Sequence, residues 1–527
     1  MALTRSGTVG GPTYVLREGT RRTQGRAAGD SNVLAGRAVA NAVRTTLGPR
    51  GMDKMLVDAT GTVVITNDGA TILDEMDVDH PGARMVVAVA EAQEAAVGDG
   101  TTTAAVLAGQ LLVAAADLFD EGVAPTTIVE GYQEAARLAL AAIDANLLTD
   151  DVDDDLLATV AASSMTGKGT GSVGPGTLAD SVVEAVRRVS TDGERVDREA
   201  IRIASHVGES AGATAVVEGV VLDEEPIADG MPRGLADATV ALLDVPLEVR
   251  TSAAGVAYRV TGADQLAAAM DAEVGELQGY VAALADADVE VVVSTKAIDD
   301  RLGSLLAREG ILAFERVPVD DARAVARATG ATRVATLADF DPADLGVAER
   351  VRIERFGGED LAVLEGGAAT KTVTLLVRGG TDHVVAELER AIDDAVDVVL
   401  ATLETGEVVP GAGGIEIAIA EHVRDHAAAI AGRRQLAVEA FAAAIDAIPR
   451  TLASNLGMDP IDAVVDLRTR HDRGERVGIV DDGGIGEIAD PVGAGVIEPA
   501  AVKREAVENA TEAVRMLLRI DDVIAAR

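Results

Sequence analysis

Cysteine and tryptophan are absent from this 527-residue chain, and it contains only four tyrosines and five phenylalanines. Without cysteine the chain has no disulfide, thiolate zinc site, iron–sulfur cluster or cysteine nucleophile. With so few aromatic rings, Ala, Val, Leu and Ile must supply almost all of the buried apolar surface. Hydrophobic residues still make up 48% and charged residues 25% of the chain, which is an ordinary globular composition and excludes a disordered or collagen-like protein.

Positive charge is scarce. The chain has 46 Lys and Arg against 87 Asp and Glu, a net charge of −41, and only five of the cations are lysines: Lys54, Lys168, Lys296, Lys371 and Lys503. So acidic a surface repels phosphate backbones, which argues against nucleic-acid binding. Molar salt would suppress the self-repulsion, because it shortens the Debye length to about 3 Å. The composition is therefore typical of the cytoplasm of a salt-loving organism, and an acidic protein from an ordinary cell is the alternative.

Neither a membrane span nor a signal peptide is expected. The longest weakly charged run, Gly100–Ala116, lies between two aspartates and is shorter than the roughly 20 apolar residues that a span requires. The N-terminal residues contain no apolar core of a signal peptide. We expect a cytoplasmic protein that does not contact a membrane.

The length predicts about three domains, and the leading block reads as mainly helical. Apolar periodicity predicts helices over residues 32–46, 80–119 and 126–145, with an interruption at Gly98-Asp99-Gly100. Val63–Leu73 is predicted to form two short strands around an Asn-Asp-Gly turn.

The middle of the chain reads as an α/β domain. β-Branched runs over residues 215–249 are followed by strands near 289–294 and 310–319, with a helix between them from about 299 to 308. A long amphipathic helix over Thr261–Ala285 has no obvious sheet partner. A strand at 373–378 and a helix at 383–403 precede a mainly helical final segment.

The sharpest local motif is Gly98-Asp99-Gly100-Thr101-Thr102-Thr103, which opens a helix. A glycine-flanked helix start presents backbone N–H groups and the positive end of the helix dipole, so a phosphate can bind there. The Asp99 carboxylate would repel a phosphate unless Mg²⁺ lies between them. The alternative is an ordinary capped helix start, since Asp and Thr are common capping residues.

Four further candidates are individually weak. Asp68 is ordinarily just a turn residue, and Asp394 lies on an amphipathic helix where acids usually mark the solvated face. Thr166-Gly167-Lys168-Gly169 lacks the Ser/Thr of a P-loop, and Gly411-Ala412-Gly413-Gly414 is either a ligand-facing helix start or a loop. Metal-type histidine spacing and a nucleophile elbow are both absent from the sequence.

Taken together and in order, these motifs closely resemble the archaeal group II chaperonins, the thermosome family. The resemblance runs from about Thr13 to Ala526 and rests on these segments: TLGPRGMDKML (46–56), VITNDGATIL (64–73), GDGTTTAAVLAGQLL (98–112), PTTIVEGY (125–132), MTGKG (165–169), LLVRGGTDHVVAELERAIDDA (375–395), AVEAFAAAIDAIPRTLASNLGMDPID (437–462) and the final GVIEPAAVKREAVENATEAVRMLLRIDDVIAA (495–526).

The resemblance implies a multidomain α and α/β fold. Residues 1–145 and 401–527 would form a mainly α-helical equatorial domain that binds ATP and contacts neighbouring subunits. Residues 146–213 and 368–400 would form a small α/β intermediate hinge domain. Residues 214–367 would form an α/β apical domain for substrate proteins, with a helical lid protrusion at about 245–285.

The resemblance also implies an ATPase that folds unfolded proteins inside a double ring of the same or paralogous subunits. The built-in lid would make a separate lid co-chaperonin unnecessary. The implied cofactors are ATP and Mg²⁺, with K⁺ as a further candidate. Two rivals remain at this point: a small-molecule kinase or ATPase, and a structural ring or filament subunit with reduced ATPase activity.

The implied site residues fall into two groups. Asp68 and Asp394 would position and activate the attacking water, and Lys168 would sense the γ-phosphate. Asp99 would bind Mg²⁺, while the nucleotide contacts would come from Leu47, Gly48, Pro49, Asp99, Gly100, Thr101, Thr102, Thr103, Gly169, Gly413 and Glu498.

One position departs from the resemblance. The family usually has Gly-Gly-Gly-Ala after its Val-Val-Pro, whereas this chain has Gly411-Ala412-Gly413-Gly414. Two outcomes are open: if the position requires φ > 0, alanine stores strain of about 1–3 kcal/mol, and if φ is negative the methyl group only narrows the base pocket. Because the following glycines can absorb a backbone adjustment, we favour the negative φ.

Overall fold

The computed structural model describes residues 21–148, 152–169, 173–190, 195–249, 263–336, 340–356, 359–367 and 372–525. The chain divides into two compact units. Unit 1 comprises Met1–Leu148 and Val408–Arg527, and unit 2 comprises Thr149–Glu407. Unit 1 is therefore assembled from both ends of the chain.

The described helices and strands are numbered separately in chain order. The helices are α1 (Arg26–Val43), α2 (Gly69–Asp74), α3 (Pro81–Val97), α4 (Thr101–Asp120), α5 (Pro125–Ala145), α6 (Asp154–Met165), α7 (Pro175–Val189), α8 (Ala263–Asp286), α9 (Asp300–Arg308), α10 (Val319–Thr329), α11 (Asp382–Thr405), α12 (Gly414–Ala427), α13 (Arg434–Ile445), α14 (Ala447–Asn455), α15 (Pro460–His471) and α16 (Ala500–Leu518). The strands are β1 (Arg21–Gln24), β2 (Lys54–Val57), β3 (Val63–Thr66), β4 (Ile201–Val207), β5 (Ala215–Glu218), β6 (Val220–Leu222), β7 (Gly234–Leu243), β8 (Val291–Ser294), β9 (Leu312–Phe314), β10 (Arg333–Val334), β11 (Gly346–Phe356), β12 (Glu359–Glu365), β13 (Val373–Gly379), β14 (Val408–Pro410), β15 (Gly478–Asp482), β16 (Ile485–Ala489), β17 (Ile497–Pro499) and β18 (Asp522–Ala525).

Unit 1 is built around α4, which packs against α1, α3, α13 and α16. Small residues let these helices approach closely: a Cβ atom added to Gly109 would lie 2.3 Å from the Cβ of Ala40. Tyr132, one of the few aromatic residues, is fully buried, donates a 2.8 Å hydrogen bond to the Leu111 carbonyl and packs edge-on against Phe441. By length and composition alone α4 could cross a membrane, but 67% of its apolar window is buried in the structure, which is the position of a core helix.

Unit 2 contains two sheets with separate apolar cores. The first is three-stranded, in the order β4-β13-β5, and shares its core with α6, α7 and α11. The second is seven-stranded, in the order β6-β12-β11-β7-β8-β9 with β10 beside β7, and its core includes residues of α8, α9 and α10. β7, β8 and β9 run parallel, whereas β11 and β12 pair antiparallel, so the second sheet is mixed.

Most predicted elements are confirmed, and two predictions are wrong. Val63–Leu73 forms one strand followed by helix α2, because the Asp68 side chain caps the helix instead of closing a hairpin. The long helix α8 does have a sheet partner, since Leu277 and Leu284 are buried in the core of the seven-stranded sheet. Residues 250–262 of the predicted protrusion lie outside the described residues.

Candidate functional site

The start of α4 is shaped to receive an anion. Gly98 ends α3 with φ 66°, and Gly100 precedes α4 with φ 80°, a conformation that glycine adopts without strain. Because Gly100 has no side chain, it cannot cap the first-turn N–H groups of α4. These groups and the helix dipole favour a bound phosphate. Asp99 lies at the same turn, where its Oδ1 accepts a 2.7 Å hydrogen bond from the Gly100 N–H.

The Asp68 segment packs directly against this turn. Asp68 caps α2 by accepting a 2.7 Å hydrogen bond from the Thr71 N–H. A Cβ atom on the next residue, Gly69, would lie 2.4 Å from the Thr102 hydroxyl and 2.9 Å from its backbone nitrogen. Only glycine allows this approach, which holds the Asp68 backbone beside the start of α4.

The Leu47–Pro49 loop lies between α4 and α14. Thr46 places its hydroxyl 3.4 Å from that of Thr102, and the Asn455 side chain donates a 2.8 Å hydrogen bond to the Leu47 carbonyl. Gly48 has φ 87°, and a Cβ atom there would lie 2.5 Å from the Leu452 side chain. The loop is therefore fixed at both of its sides.

The Gly411–Gly414 loop packs against α14 at Leu452, the residue that Gly48 also contacts. Gly413 has φ 77° and precedes α12, and a Cβ atom on it would lie 3.1 Å from Pro449 and 3.3 Å from Leu452. Ala412 has φ 56°, so the expectation of a negative φ is wrong. A positive φ is a strained conformation for alanine. An adjustment at Gly413 cannot relieve it, because Gly413 itself has a left-handed conformation at the start of α12. The Ala412 carbonyl accepts a 2.8 Å hydrogen bond from the Ile479 N–H, which further fixes the loop.

Glu498 lies on β17, opposite Val409 of β14. A Cβ atom on Gly411 would lie 2.7 Å from Glu498 Oε1, so the carboxylate packs against the loop backbone. Lys503 Nζ lies 2.5 Å from Glu498 Oε2 and 2.8 Å from Glu416 Oε1. Burial raises the pKa of Glu498, an effect that Lys503 opposes and the charge of Glu416 increases.

The predicted residues of unit 1 thus come together from distant parts of the chain: Leu47, Gly48, Pro49, Asp68, Asp99, Gly100, Thr101, Thr102, Thr103, Gly413 and Glu498. Gly48, Gly69 and Gly411 each lie in close contact with a neighbouring segment, since a Cβ atom there would collide with Leu452, Thr102 and Glu498 respectively. A cavity of about 340 Å³ lies next to the Gly411–Gly414 loop and is bordered by Pro410, Gly414 and residues 474–477. The uncapped N–H groups at the start of α4 and the hydroxyls of Thr101, Thr102 and Thr103 form a donor set that fits the phosphates of a nucleotide. Among the described residues, no group of three or more His, Asp or Glu side chains is placed to hold a metal ion.

The predicted residues of unit 2 form a second cluster. Lys168 and Asp394 make an ion pair in which the lysine side chain is 15% exposed and the aspartate 9%. The interpretation of Asp394 as an acid on a solvated face is therefore wrong. Gly169 lies against Glu387, which is on α11 like Asp394. A Cβ atom on Gly169 would be 2.8 Å from the Glu387 Cγ.

Comparison with known proteins identifies the family. The profile of the TCP-1/cpn60 chaperonin family matches residues 39–527. This chain belongs to that family. It is similar to thermosome subunit 3 of Haloferax volcanii, with 60% identity over 98% of this chain and 99% of that protein. It is also similar to thermosome subunit alpha of Halobacterium salinarum, with 47% identity over 98% and 91%, and to thermosome subunit beta of Methanothermobacter thermautotrophicus, with 46% identity over 98% and 95%. Two of these relatives come from salt-loving archaea, in agreement with the acid-rich composition of this chaperonin.

Sequence reasoning missed three polar residues beside the candidate site. Gln93 is fully buried, and its Nε2 donates to the carbonyls of Asp99 (2.9 Å) and Val502 (3.1 Å). Glu416 and Lys503 form the ion cluster with Glu498 described above. The one signal available in the sequence was the rarity of lysine, which makes each retained lysine unusual.

Proposed function

We propose that this chaperonin subunit binds ATP with Mg²⁺ in unit 1 and uses its hydrolysis to fold unfolded proteins inside a double-ring chamber closed by a built-in lid. The observation that carries the proposal is the uncapped start of α4, with Asp99 at the same turn and the Gly69 backbone packed against Thr102. Free N–H groups at a helix N-terminus beside a carboxylate that can hold Mg²⁺ suit phosphate groups.

Within this proposal the residues of unit 1 have separate tasks. The N–H groups and hydroxyls of Thr101, Thr102 and Thr103 would bind phosphate oxygens, and Gly48, Gly413 and Glu498 would contact the rest of the nucleotide. Asp99 would hold Mg²⁺, which prefers carboxylate and phosphate oxygens and supplies charge neutralisation to the phosphates. The cavity beside the Gly411–Gly414 loop is our candidate for the base pocket.

Three residues are assigned to hydrolysis. Asp68 and Asp394 would orient and deprotonate the water, and Lys168 would respond to the γ-phosphate. The Lys168–Asp394 pair supports this assignment, because a largely buried ion pair fixes the direction of the Asp394 carboxylate.

Open strand edges in unit 1 support ring assembly. β2 pairs with β3 and β1 pairs with β18, each as a two-stranded ladder among the described residues. Two-stranded ladders are marginally stable alone, and their free edges readily pair with another chain. Met52, Met55 and Val57 are 66%, 66% and 61% exposed on or beside β2. We infer that these edges contact neighbouring subunits, which are the same or paralogous chaperonin chains.

The two cores of unit 2 support the three-domain division. The core around β4, β5 and β13 would be the intermediate domain, and the core around the seven-stranded sheet the apical domain that contacts client proteins. β5 pairs with β13, so a boundary at residues 213/214 would divide that smaller sheet. We further propose that the protein works in the cytoplasm without a separate lid protein.

Replacing the proposed water-activating acid tests the function. We expect Asp394→Ala to retain ATP binding and to lose hydrolysis by about 10²–10⁴-fold, the usual effect of removing a general base. Asp393→Ala is the matched control, because Asp393 is the adjacent acid on the same helix and pairs with Arg198 instead. Steady-state phosphate release in molar KCl measures both variants. A fall of less than tenfold for Asp394→Ala would contradict the assignment.

A further inference from the structure

Lys503 is buried between two carboxylates beside the candidate nucleotide site. Its ammonium contacts Glu498 at 2.5 Å and Glu416 at 2.8 Å, and its side chain is only 7% exposed. The three residues belong to different elements: Glu416 to the first turn of α12, Glu498 to β17 and Lys503 to the first turn of α16. The ion cluster therefore connects all three elements at the Gly411–Gly414 loop.

Only one member of the cluster is accessible. Glu498 is 25% exposed, whereas Glu416 is 5% exposed. One oxygen of the Glu498 carboxylate is held by Lys503, and the other lies against Gly411. Glu498 is therefore the group that can contact a ligand, whereas Lys503 and Glu416 are too buried to do so.

The charges around Glu498 show what Lys503 contributes. The charged groups that act on Glu498 are Lys503 of α16, Glu416 of α12 and Asp99 of the turn before α4, and only the lysine is positive. Burial and the two carboxylates raise the pKa of Glu498, and Lys503 lowers it. Burial by itself would lower the pKa of Lys503, but Glu416 and Glu498 raise it above its ordinary value, so the ammonium stays charged.

We propose that Lys503 is a positioning residue for nucleotide binding, and that its ammonium holds the Glu498 carboxylate charged and oriented to accept hydrogen bonds from the nucleotide's hydroxyl or amino groups. The inference rests on the proposed assignment of Glu498 to the nucleotide. A purely structural ion cluster is the competing explanation, and the two differ in how nucleotide affinity depends on pH.

The test is calorimetric binding of ADP to the full-length assembled protein in molar KCl, at several pH values between about 5.5 and 8.5, where acids with raised pKa values titrate. In Lys503→Met the cation is replaced by an apolar side chain of similar length. We expect ADP affinity to fall by about tenfold at neutral pH, the loss that follows from one charge-assisted hydrogen bond. The pH at which affinity declines on acidification should also move upward, because Glu498 becomes harder to ionise.

Two further variants separate positioning from structure. Glu416→Gln removes a negative charge behind Lys503, so the decline of affinity should move to lower pH, the opposite direction. In a Glu498→Gln background, adding Lys503→Met should change affinity by less than about twofold, since residues acting through one another are non-additive. The ionisation of ADP itself is common to all variants and cancels from the comparison.

Each result decides the proposal. Opposite pH shifts in Lys503→Met and Glu416→Gln, with no added loss in the Glu498→Gln background, support it. An equal loss in both backgrounds, or an unmoved pH profile, overturns it in favour of a structural cluster. If Lys503→Met fails to assemble, an unmoved profile in Glu416→Gln alone overturns the proposal. A parent protein that binds no ADP would instead overturn the proposed function, and normal binding by Glu498→Gln would remove only the role of Glu498 and with it this inference.

Discussion

Replacing Ala412 with glycine tests whether the loop beside β15 is strained. Ala412 is one of four non-glycine residues with positive φ among those described, and its φ is 56°. The left-handed conformation costs an L-residue about 1–2 kcal/mol, and glycine does not pay this cost. In Ala412→Gly the Ile479 N–H bond to the residue 412 carbonyl can stay in place, because it involves only backbone atoms.

Two opposing contributions reduce the expected gain. Glycine is more flexible in the unfolded chain, which costs about 0.4–1 kcal/mol of stability. The half-buried methyl group, which lies against Gly478, contributes up to about 0.8 kcal/mol when fully buried. With about half of that methyl contribution lost, the net change should centre at about +0.4 kcal/mol in favour of Ala412→Gly, with a range of about −0.4 to +1.2 kcal/mol. The informative quantity is the difference in unfolding free energy between Ala412→Gly and an ordinary Ala→Gly change, which is destabilising.

Ala440→Gly is the matched control, because Ala440 lies inside helix α13, where the same substitution should cost about 1 kcal/mol. Urea unfolding in molar KCl, followed by circular dichroism, compares both variants with the parent. Ala412→Gly should be more stable than Ala440→Gly by about 1 kcal/mol or more, and its ATP affinity should rise by at most tenfold. Equal destabilisation by the two changes would refute the strain argument, and a hundredfold gain in affinity would show that Ala412 had largely disabled the site.

Two further predictions concern charge. With a net charge of −41, ring assembly should require molar KCl or NaCl, and light scattering across a salt series measures it; intact rings with full ATPase activity at about 0.1 M salt would be the contrary result. Asp446 is fully buried and pairs with Arg424 and Arg468, which both also pair with Glu421, so Asp446→Asn should cost about 1–3 kcal/mol in urea unfolding because two charge-assisted hydrogen bonds are weakened. The exposed Glu134–Arg137 pair is the control, and Glu134→Gln should cost less than about 0.5 kcal/mol; similar losses for both would contradict the burial argument.

The elements that could be predicted from the sequence are those with strong local signals. Pro81 and Pro125 each begin a helix, and Gly98-Asp99-Gly100 separates α3 from α4 as the glycines indicate. The same reasoning failed at Val63–Leu73, because Asn-Asp-Gly also fits a hairpin turn and the alternative depends on the Asp68 cap. It failed at Ala412 because φ there is set by the start of α12 and by β15.

The paired charges could not be predicted, because their partners are distant in the sequence. Lys168 and Asp394 are 226 positions apart, and no spacing rule connects them. The resemblance named both residues but not their contact. Burial of Asp394 depends on how α11 packs against α6, which is a tertiary property that amphipathic periodicity alone does not give.

The positions of the lysines in this chain agree with the compact, point-like charge of the lysine side chain. Two of the five lysines are largely buried in ion pairs, Lys168 in unit 2 and Lys503 in unit 1, whereas Lys296 is half exposed in its pair with Asp244. Lysine is a compact point charge with three donors, so it can contact two carboxylates that approach from different elements, as Glu416 and Glu498 do. Arginine also bridges two carboxylates in this chain, as Arg424 and Arg468 do between Glu421 and Asp446, but these two side chains remain 24% and 31% exposed, compared with 15% for Lys168 and 7% for Lys503. We therefore expect that, in a chain this poor in lysine, a buried lysine marks a position with room for a compact ammonium and not for a guanidinium.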